Sequence, residues 1–280
     1  MDKLQMVQFD LLKEFIRVCE KNHLRYYLFG GTCLGSIRHQ GFIPWDDDVD
    51  LAMPRPDFDK LMKLGSEFSN PYFLQNRESN KHYIYTFAKL RNSNTTYIEY
   101  VFSHNMINHG VWIDIFPLDG LSKKKNKKEL HKFKPYWIWG QLTFSYLYHV
   151  MRPIRFNKHF FSDIGLDLIS LVFLPFNIFN WNLRVIELLE KSIPYDKATL
   201  VGPYETMYFN QEALPPSVFG DGVDAKFEGI TVKVPSDYKT YLTHIYGDYM
   251  KLPPLEKQVG HHINHGLSLT MGYKDYFKEN

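Results

Sequence analysis

Cysteine is scarce in this chain. Its 280 residues include only Cys19 and Cys33, too few for a disulfide framework or a cysteine-rich zinc site. A run of about 20 apolar residues, which a membrane-spanning helix needs, is also missing. Asp10 and Glu14 interrupt the apolar positions near the beginning of the chain, so we expect no signal peptide. Together these absences predict a cytoplasmic protein.

An excess of charge of one sign is missing as well. The 33 Lys and Arg residues are balanced by 31 Asp and Glu residues, which leaves a net charge of +2. A dedicated nucleic-acid binder usually carries a strong basic field, so we expect no nucleic-acid partner. The hydrophobic share of 44% and the aromatic share of 16% predict a packed globular fold and exclude a disordered chain.

The apolar pattern predicts an α/β (α+β) fold, with a mixed sheet flanked by helices. We predict a catalytic core at residues 1–121, an aromatic-rich helical insert at residues 122–192, and a C-terminal part at residues 193–280 that packs on the core and completes the substrate site. The predicted helices cover residues 3–22, 32–38 and 58–67, with Thr32 and Asp57 as N-caps. The predicted strands cover residues 25–29, 49–53, 83–91, 96–100 and 110–116.

Four aspartates fall within five positions, at Asp46, Asp47, Asp48 and Asp50. On a strand, Asp48 and Asp50 would share one face, and two adjacent carboxylates repel unless a cation lies between them. Asp114, between two isoleucines in WIDIF, is the natural third carboxylate. Such oxygen ligands suit Mg²⁺, with Mn²⁺ possible. The alternative is an ordinary solvated, aspartate-rich turn.

A glycine turn precedes the aspartates. Gly30, Gly31 and Thr32 lie between a predicted strand and a predicted helix, where backbone N–H groups can approach a phosphate. Such a turn alone is weak evidence, because many strand-to-helix turns contain glycine for steric reasons. Followed by D-x-D and by a third Asp on a later strand, it is typical of nucleotidyltransferase-fold enzymes.

The sequence at this point resembles the LicD family of phosphocholine transferases. The resemblance rests on LFGGTCLGSIRHQGFIPWDDDVDLAMPRPDFDKL (residues 28–61), FAKLRNSNTTYIE (87–99), HGVWIDIFPLDG (109–120) and YGDYMKLPPLEKQVGHH (246–262). These segments occur in the family's order. The D-x-D core is also distantly similar to fukutin-related protein, although the zinc-binding cysteines of that protein have no counterpart here.

The resemblance implies a metal-dependent transfer of phosphocholine, or a related phospho-alcohol, from CDP-choline or another CDP-alcohol donor. The implied acceptor is a sugar hydroxyl of a cell-surface glycan precursor of the teichoic acid, lipopolysaccharide or capsule type, either free or lipid-linked, and CMP would leave. By matching position, Asp48, Asp50 and Asp114 would hold the metal. Asp114 would also accept the hydroxyl proton, Asp46 would orient a metal-bound water, and Asp47 would face away.

Six further residues are candidate substrate or phosphate contacts. Each has an ordinary alternative: a surface salt bridge for the first pair, an exposed edge strand for the second, and packing or capping for the third. The candidates are Arg38 and His39, Lys89 and Arg91, and His261 and His262.

Two questions stay open at this level. The lysine run at residues 122–128 and the aromatic segment after it predict either contact with the inner face of the plasma membrane or a helical lobe buried against the core. The function is either phospho-alcohol transfer or, as the alternative, transfer of NMP from an NTP to a sugar or small molecule. A non-catalytic glycan-binding protein is a third class, which the three intact aspartates disfavour.

Overall fold

The computed structural model describes residues 1–80, 83–99, 102, 107–121, 178–204, 212–260 and 264–279. These residues form seven α-helices and ten strands. The helices are Lys3–Lys21 (α1), Gly30–His39 (α2), Arg55–Leu61 (α3), Ile178–Glu190 (α4), Pro216–Phe219 (α5), Tyr238–Tyr246 (α6) and Tyr273–Glu279 (α7). The strands are Tyr27–Leu28 (β1), Asp50–Pro54 (β2), Tyr72–Gln75 (β3), Ala88–Asn92 (β4), Thr96–Glu99 (β5), Val111–Leu121 (β6), Leu200–Gly202 (β7), Val223–Phe227 (β8), Ile230–Val234 (β9) and Asn264–Ser268 (β10).

The central sheet is mixed, as predicted. Its strands follow the order β1-β2-β6-β4-β3, and β7 pairs with the far end of β6. The pair β2–β6 is parallel, whereas the other pairs of this sheet are antiparallel. The long strand β6 therefore pairs with three strands and forms the spine of the fold. Two small two-stranded sheets, β5–β10 and β8–β9, complete the strands.

The first helix confirms the amphipathic pattern of the sequence. Asp2 and Gln5 form a capping box at its start, which satisfies backbone N–H groups that have no partner within the helix. Leu11, Leu12 and Phe15 are fully buried, and α1 packs across β4 and β6. The apolar stripe of α1 therefore covers the middle of the sheet.

Two predicted N-caps were wrong. Helix α2 begins at Gly30, and the hydroxyl of Thr32 instead accepts a hydrogen bond from the backbone N–H of Asp50. Helix α3 begins at Arg55, so that Asp57 lies in its first turn and accepts a hydrogen bond from Arg25. In both cases a partner distant in the sequence claims the oxygen that would have capped the helix.

The C-terminal residues share one hydrophobic core with the first part of the chain. The β8–β9 hairpin packs against α2 and β1, and Tyr241 of α6 is fully buried. The lysine run and most of the predicted insert, at residues 122–177, lie outside the described residues. No helix in the described ranges combines the length and the apolarity that a membrane span requires.

A buried ion pair joins α3, β6 and α4. The guanidinium of Arg55 donates to both carboxylate oxygens of Asp119, at 2.6 and 2.5 Å, and Glu190 lies 3.5 Å from it. Asp119 is 1% exposed. A buried charge that loses its partner is strongly destabilising, so Asp119 depends on Arg55 for its compensation.

We expect Arg55→Met to lower the free energy of unfolding by about 3–5 kcal/mol, because it leaves Asp119 buried without its bidentate partner. Urea denaturation measures the change. Lys21→Met is the matched control, since it breaks the exposed Lys21–Glu67 pair and should cost less than about 1 kcal/mol. Equal losses in the two variants would contradict the role given to the buried pair.

Candidate active site

The strand register places three charged residues and one polar residue in one row across the sheet. Asp50 on β2 lies opposite Asp114 on β6, Asp114 lies opposite Lys89 on β4, and Lys89 lies opposite Gln75 on β3. Directly paired residues point to the same face of a sheet. The predicted meeting of Asp50 and Asp114 is therefore a consequence of the parallel β2–β6 register.

Asp48 lies just before β2 rather than on it. The strand begins at Asp50, so the predicted alternation of Asp48 and Asp50 along one strand does not apply. Asp48 still acts on Asp50. Burial is the largest cause that raises the pKa of Asp50, and the charge of Asp48 is the next largest. The structure therefore brings the two carboxylates together through the end of a loop instead of through strand periodicity.

Helix α1 holds the backbone of the aspartate loop, which comprises residues 46–48. Gln5 donates to the backbone carbonyl of Asp46 at 3.0 Å, and Gln8 donates to that of Asp47 at 2.8 Å. Both glutamines are almost completely buried. The two amides therefore fix the backbone that carries Asp46 and Asp47.

The glycine turn packs directly on the carboxylates. A Cβ on Gly30 would lie 3.3 Å from Asp50 Oδ2, and one on Gly31 would lie 2.9 Å from Asp46 Oδ2. Gly30 also has a φ of +50°, which favours glycine, and its N–H donates to the hydroxyl of Tyr241. The two glycines therefore allow the start of α2 to approach the acidic cluster, and phosphate binding there stays a prediction.

The carboxyl group of Asp50 is poorly placed to be ionised alone. Burial is the largest cause that raises its pKa, and the charges of Asp48, Asp114, Asp46 and Glu212 raise it further. A carboxylate in such surroundings either takes up a proton or shares a cation with its neighbours. This is the physical need that a divalent metal would meet.

The donor atoms fit a divalent cation. Carboxylate oxygens of Asp46, Asp47 and Asp48 lie within 4.8 Å of one another, and such hard ligands suit Mg²⁺ or Mn²⁺. Asp47 belongs to this group, and its Oδ2 also lies 2.8 Å from the Cβ position of Gly260. That Asp47 faces away from Asp50 and Asp114 stays a prediction. Asp50 and Asp114 lie outside the group but in the adjoining row, and each predicted metal ligand is therefore at or beside the cluster.

Lys89 and Arg91 belong to a buried charge network. Lys89 Nζ lies 2.8 Å from Asp114 Oδ1 and 3.1 Å from Glu99 Oε1. Arg91 is fully buried and donates to Gln75, to the carbonyl of Gly110 and to Glu99. The structure therefore does not bring Arg91 to an open phosphate site, because its guanidinium binds groups inside the protein.

Glu99 is held ionised by this network. Burial by itself would raise its pKa, but the charges of Lys89 and Arg91 and their hydrogen bonds lower the pKa of Glu99 to about 2. A carboxylate with so low a pKa remains a fixed negative charge across the physiological range. The network thus alternates in sign from Arg91 through Glu99 and Lys89 to Asp114.

Arg38 and His39 lie at the edge of the site. Arg38 is partly buried and donates to the carbonyls of Tyr249 and Lys251, and Asp46 is among its charged neighbours. The ring of His39 packs against Trp45, and burial followed by the charge of Arg38 lowers the pKa of His39. Their phosphate contacts stay predictions, and His261 and His262 lie outside the described residues.

Three site residues were missed by the sequence reasoning. Trp112 Nε1 donates to Asp114 Oδ2 at 3.1 Å, and the i, i+2 spacing of these two residues on one strand was the signal. The hydroxyl of Tyr246 lies 3.9 Å from the Cβ position of Gly30. Burial, followed by the charges of Asp50 and Glu212, raises the pKa of Tyr246. Glu212 carried no local signal, because only the fold brings it near Asp50.

We expect Gly31→Ala to displace the Asp46 carboxylate, since the new Cβ would lie 2.9 Å from Asp46 Oδ2. Displacing a carboxylate of the site by about 1 Å costs about 10–100-fold in reaction rate. The free energy of unfolding changes by less than about 1 kcal/mol, because alanine favours a helix. Gly65→Ala is the control, since no atom lies within 4 Å of its Cβ position. A fully active Gly31→Ala variant would contradict this packing.

The raised pKa of Asp50 predicts a pH-dependent stability of the metal-free protein. Above the ordinary value of 3.8, the unfolded chain has released the proton that the folded chain still holds. Stability therefore falls as pH rises, by about 1.4 kcal/mol per pH unit until the folded pKa is passed. Asp50→Asn removes this loss.

Urea denaturation in EDTA at pH 5 and pH 8 tests that prediction. Asp50→Asn should be more stable than the unmodified chain at pH 8, with a smaller difference at pH 5. Asp224→Asn, on the exposed β8–β9 hairpin, controls for the loss of one carboxyl group. A difference that does not grow with pH would show that Asp50 titrates normally.

Comparisons with known proteins bear on the family of this chain. Residues 23–161 match the family model described as LicD/FKTN/FKRP, nucleotidyltransferase domain. The chain is 28% identical over 263 residues to the lipopolysaccharide cholinephosphotransferase LicD of Haemophilus influenzae, covering 92% of this chain and 94% of that protein. It is 43% identical over 49 residues to ribitol 5-phosphate transferase FKRP of Homo sapiens and of Mus musculus, covering 18% of this chain and 10% of each relative. This chain therefore belongs to the LicD family and is a phosphotransferase.

Proposed function

We propose that this protein transfers phosphocholine, or a related phospho-alcohol, from a CDP-linked donor to a sugar hydroxyl of a cell-surface glycan precursor. One observation carries the proposal: the β2–β6 register sets Asp50 beside Asp114, next to the Asp46–Asp48 group. Six carboxylates, Glu212 included, then lie in one small region. A phosphotransferase that neutralises a diphosphate with a divalent metal needs such a cluster.

The choice of phosphocholine is supported by the relative that matches along nearly the whole chain. That relative is named for transferring cholinephosphate and for lipopolysaccharide. The shorter match, over 49 residues, is to proteins named for ribitol 5-phosphate. The two names share a phosphate ester of a small alcohol, so the metal cluster serves the common chemistry and other residues choose the alcohol.

The residues have separable roles in this proposal. Asp48, Asp50 and Asp114 would hold Mg²⁺ together with Asp46 and Asp47, and the metal would supply charge neutralisation of the donor diphosphate. The N-terminal turn of α2 at Gly31 presents backbone dipole to an anion. Arg38, at the edge of the cluster, adds a positive charge beside Asp46.

Proton removal from the acceptor hydroxyl falls to a carboxylate of the same row. Asp114 already receives the Lys89 ammonium at Oδ1 and the Trp112 N–H at Oδ2. Each of its oxygens nevertheless retains capacity to accept another hydrogen bond. Asp114 therefore remains the assigned proton acceptor, with its orientation set by two protein donors.

Product analysis tests the proposal. Purified protein with CDP-choline, Mg²⁺ and a glycan acceptor should release CMP, whereas EDTA should abolish the reaction. Calorimetric titration with CDP-choline, CDP-ribitol, CDP-glycerol and CTP then ranks the donors. Pyrophosphate release from CTP would overturn the proposal in favour of NMP transfer.

We expect Asp48→Asn and Asp114→Asn to lower the transfer rate by about 1,000-fold, or about 4 kcal/mol of activation free energy, because each removes a charge from the metal cluster. Asp224→Asn is the matched control on the exposed hairpin and should leave the rate unchanged. Unchanged rates in both site variants would argue that the protein is not a metal-dependent transferase.

A further inference from the structure

We propose that Lys89 is a positioning residue that holds the Asp114 carboxylate in place for the divalent cation, rather than a ligand of the donor diphosphate. The inference rests on the proposed function, because it assigns Lys89 a role toward the metal of that site. It also changes the role that the sequence predicted for Lys89. The groups that surround its ammonium point to this role.

The ammonium of Lys89 is enclosed by protein groups. Its side chain is 3% exposed, and Nζ lies between Asp114 Oδ1 and Glu99 Oε1, at 2.8 and 3.1 Å. The ring centroids of Trp112, Phe87 and Tyr85 lie 4.3, 5.5 and 5.7 Å from Nζ. A cation surrounded in this way by carboxylates and aromatic faces is well stabilised and is not presented to a phosphate.

Asp114 is clamped at both oxygens. Lys89 binds Oδ1, and the indole N–H of Trp112 donates to Oδ2 at 3.1 Å. Both donors lie on the same sheet face as Asp114, Lys89 directly opposite it and Trp112 two residues before it on β6. Two contacts at different oxygens restrict rotation of the carboxylate, as outer groups commonly do for the ligands of a metal site.

The position of Lys89 is itself maintained from the interior. Glu99 binds Lys89 and also accepts from Arg91, whose guanidinium is completely buried. The alternating charges run from the interior to the edge of the aspartate cluster. Apolar residues of similar volume often match or exceed the stability of buried ion pairs, so stability alone does not account for a lysine at this place.

The first experiment uses the metal alone. Calorimetric titration with Mn²⁺ and with Mg²⁺ compares the full chain with Lys89→Met, Lys89→Arg and Trp112→Phe. We expect Lys89→Met to weaken metal binding about 10–100-fold, the usual cost of losing a group that orients a ligand. Lys89→Arg, which keeps the cation, recovers most of the affinity, and Trp112→Phe weakens binding by a smaller factor.

The sign of the change separates this role from its rivals. Removal of a positive charge by itself tightens binding of a cation, so tighter or unchanged binding in Lys89→Met overturns the proposal. Lys233→Met is the matched control, because its partner Asp224 is 65% exposed and lies on the β8–β9 hairpin. If Lys89→Met does not fold, Lys89→Gln, which also removes the positive charge, carries the test and should weaken metal binding in the same direction.

Donor kinetics provide the second measurement. For Lys89→Met we expect kcat to fall while KM for CDP-choline stays within about 3-fold of the value of the unmodified chain. The reason is that the variant keeps the contacts that bind the donor equally in the ground state and the transition state. A raised KM with unchanged kcat would indicate that Lys89 binds the donor diphosphate, and it would overturn the inference. Failure of the unmodified chain to bind Mn²⁺ or Mg²⁺ would instead overturn the metal dependence of the proposed function.

Discussion

The parallel pairing of β2 with β6 is the constraint on which the rest of the site depends. It places Asp50 directly opposite Asp114, so two carboxylates must share one face of a largely buried sheet. Like charges in such a place cost free energy unless a cation or a proton compensates them. Each neighbouring feature of the structure can be understood as a response to that cost.

The features that compensate or position these carboxylates belong to three elements, β4, α2 and α1. On the side of β4, Lys89 contacts Asp114 and is held by Glu99. On the side of α2, glycines let the helix start approach the carboxylates without a side chain in between. From α1, two buried glutamines bind the backbone of the aspartate loop. At Asp50 itself, burial and the charges of the neighbouring carboxylates raise the pKa, so this is where the proposed cation would lower the cost most.

The C-terminal part contributes to the same site as the first part. Tyr241 accepts a hydrogen bond from Gly30, and Tyr246 and Glu212 lie in the electrostatic environment of Asp50. These residues lie beyond the region 23–161 that the family model matches, whereas the match to the Haemophilus influenzae relative covers 92% of the chain. The family motif therefore supplies the row of aspartates, and later residues close the site around it.

Local sequence determined the elements that depend on short-range periodicity and charge. The amphipathic pattern predicted α1, the apolar alternation around Asp114 predicted the strand β6, and the resemblance to LicD supplied the family. Only the tertiary structure decided that Lys89 and Arg91 bind groups inside the protein. It also decided that the oxygens of Thr32 and Asp57 bind distant partners instead of capping their helices, and that Glu212 lies near Asp50. The physical reason is that periodicity selects the face of an element, whereas the partner on that face is selected by strand register and by competition among groups far apart in the chain.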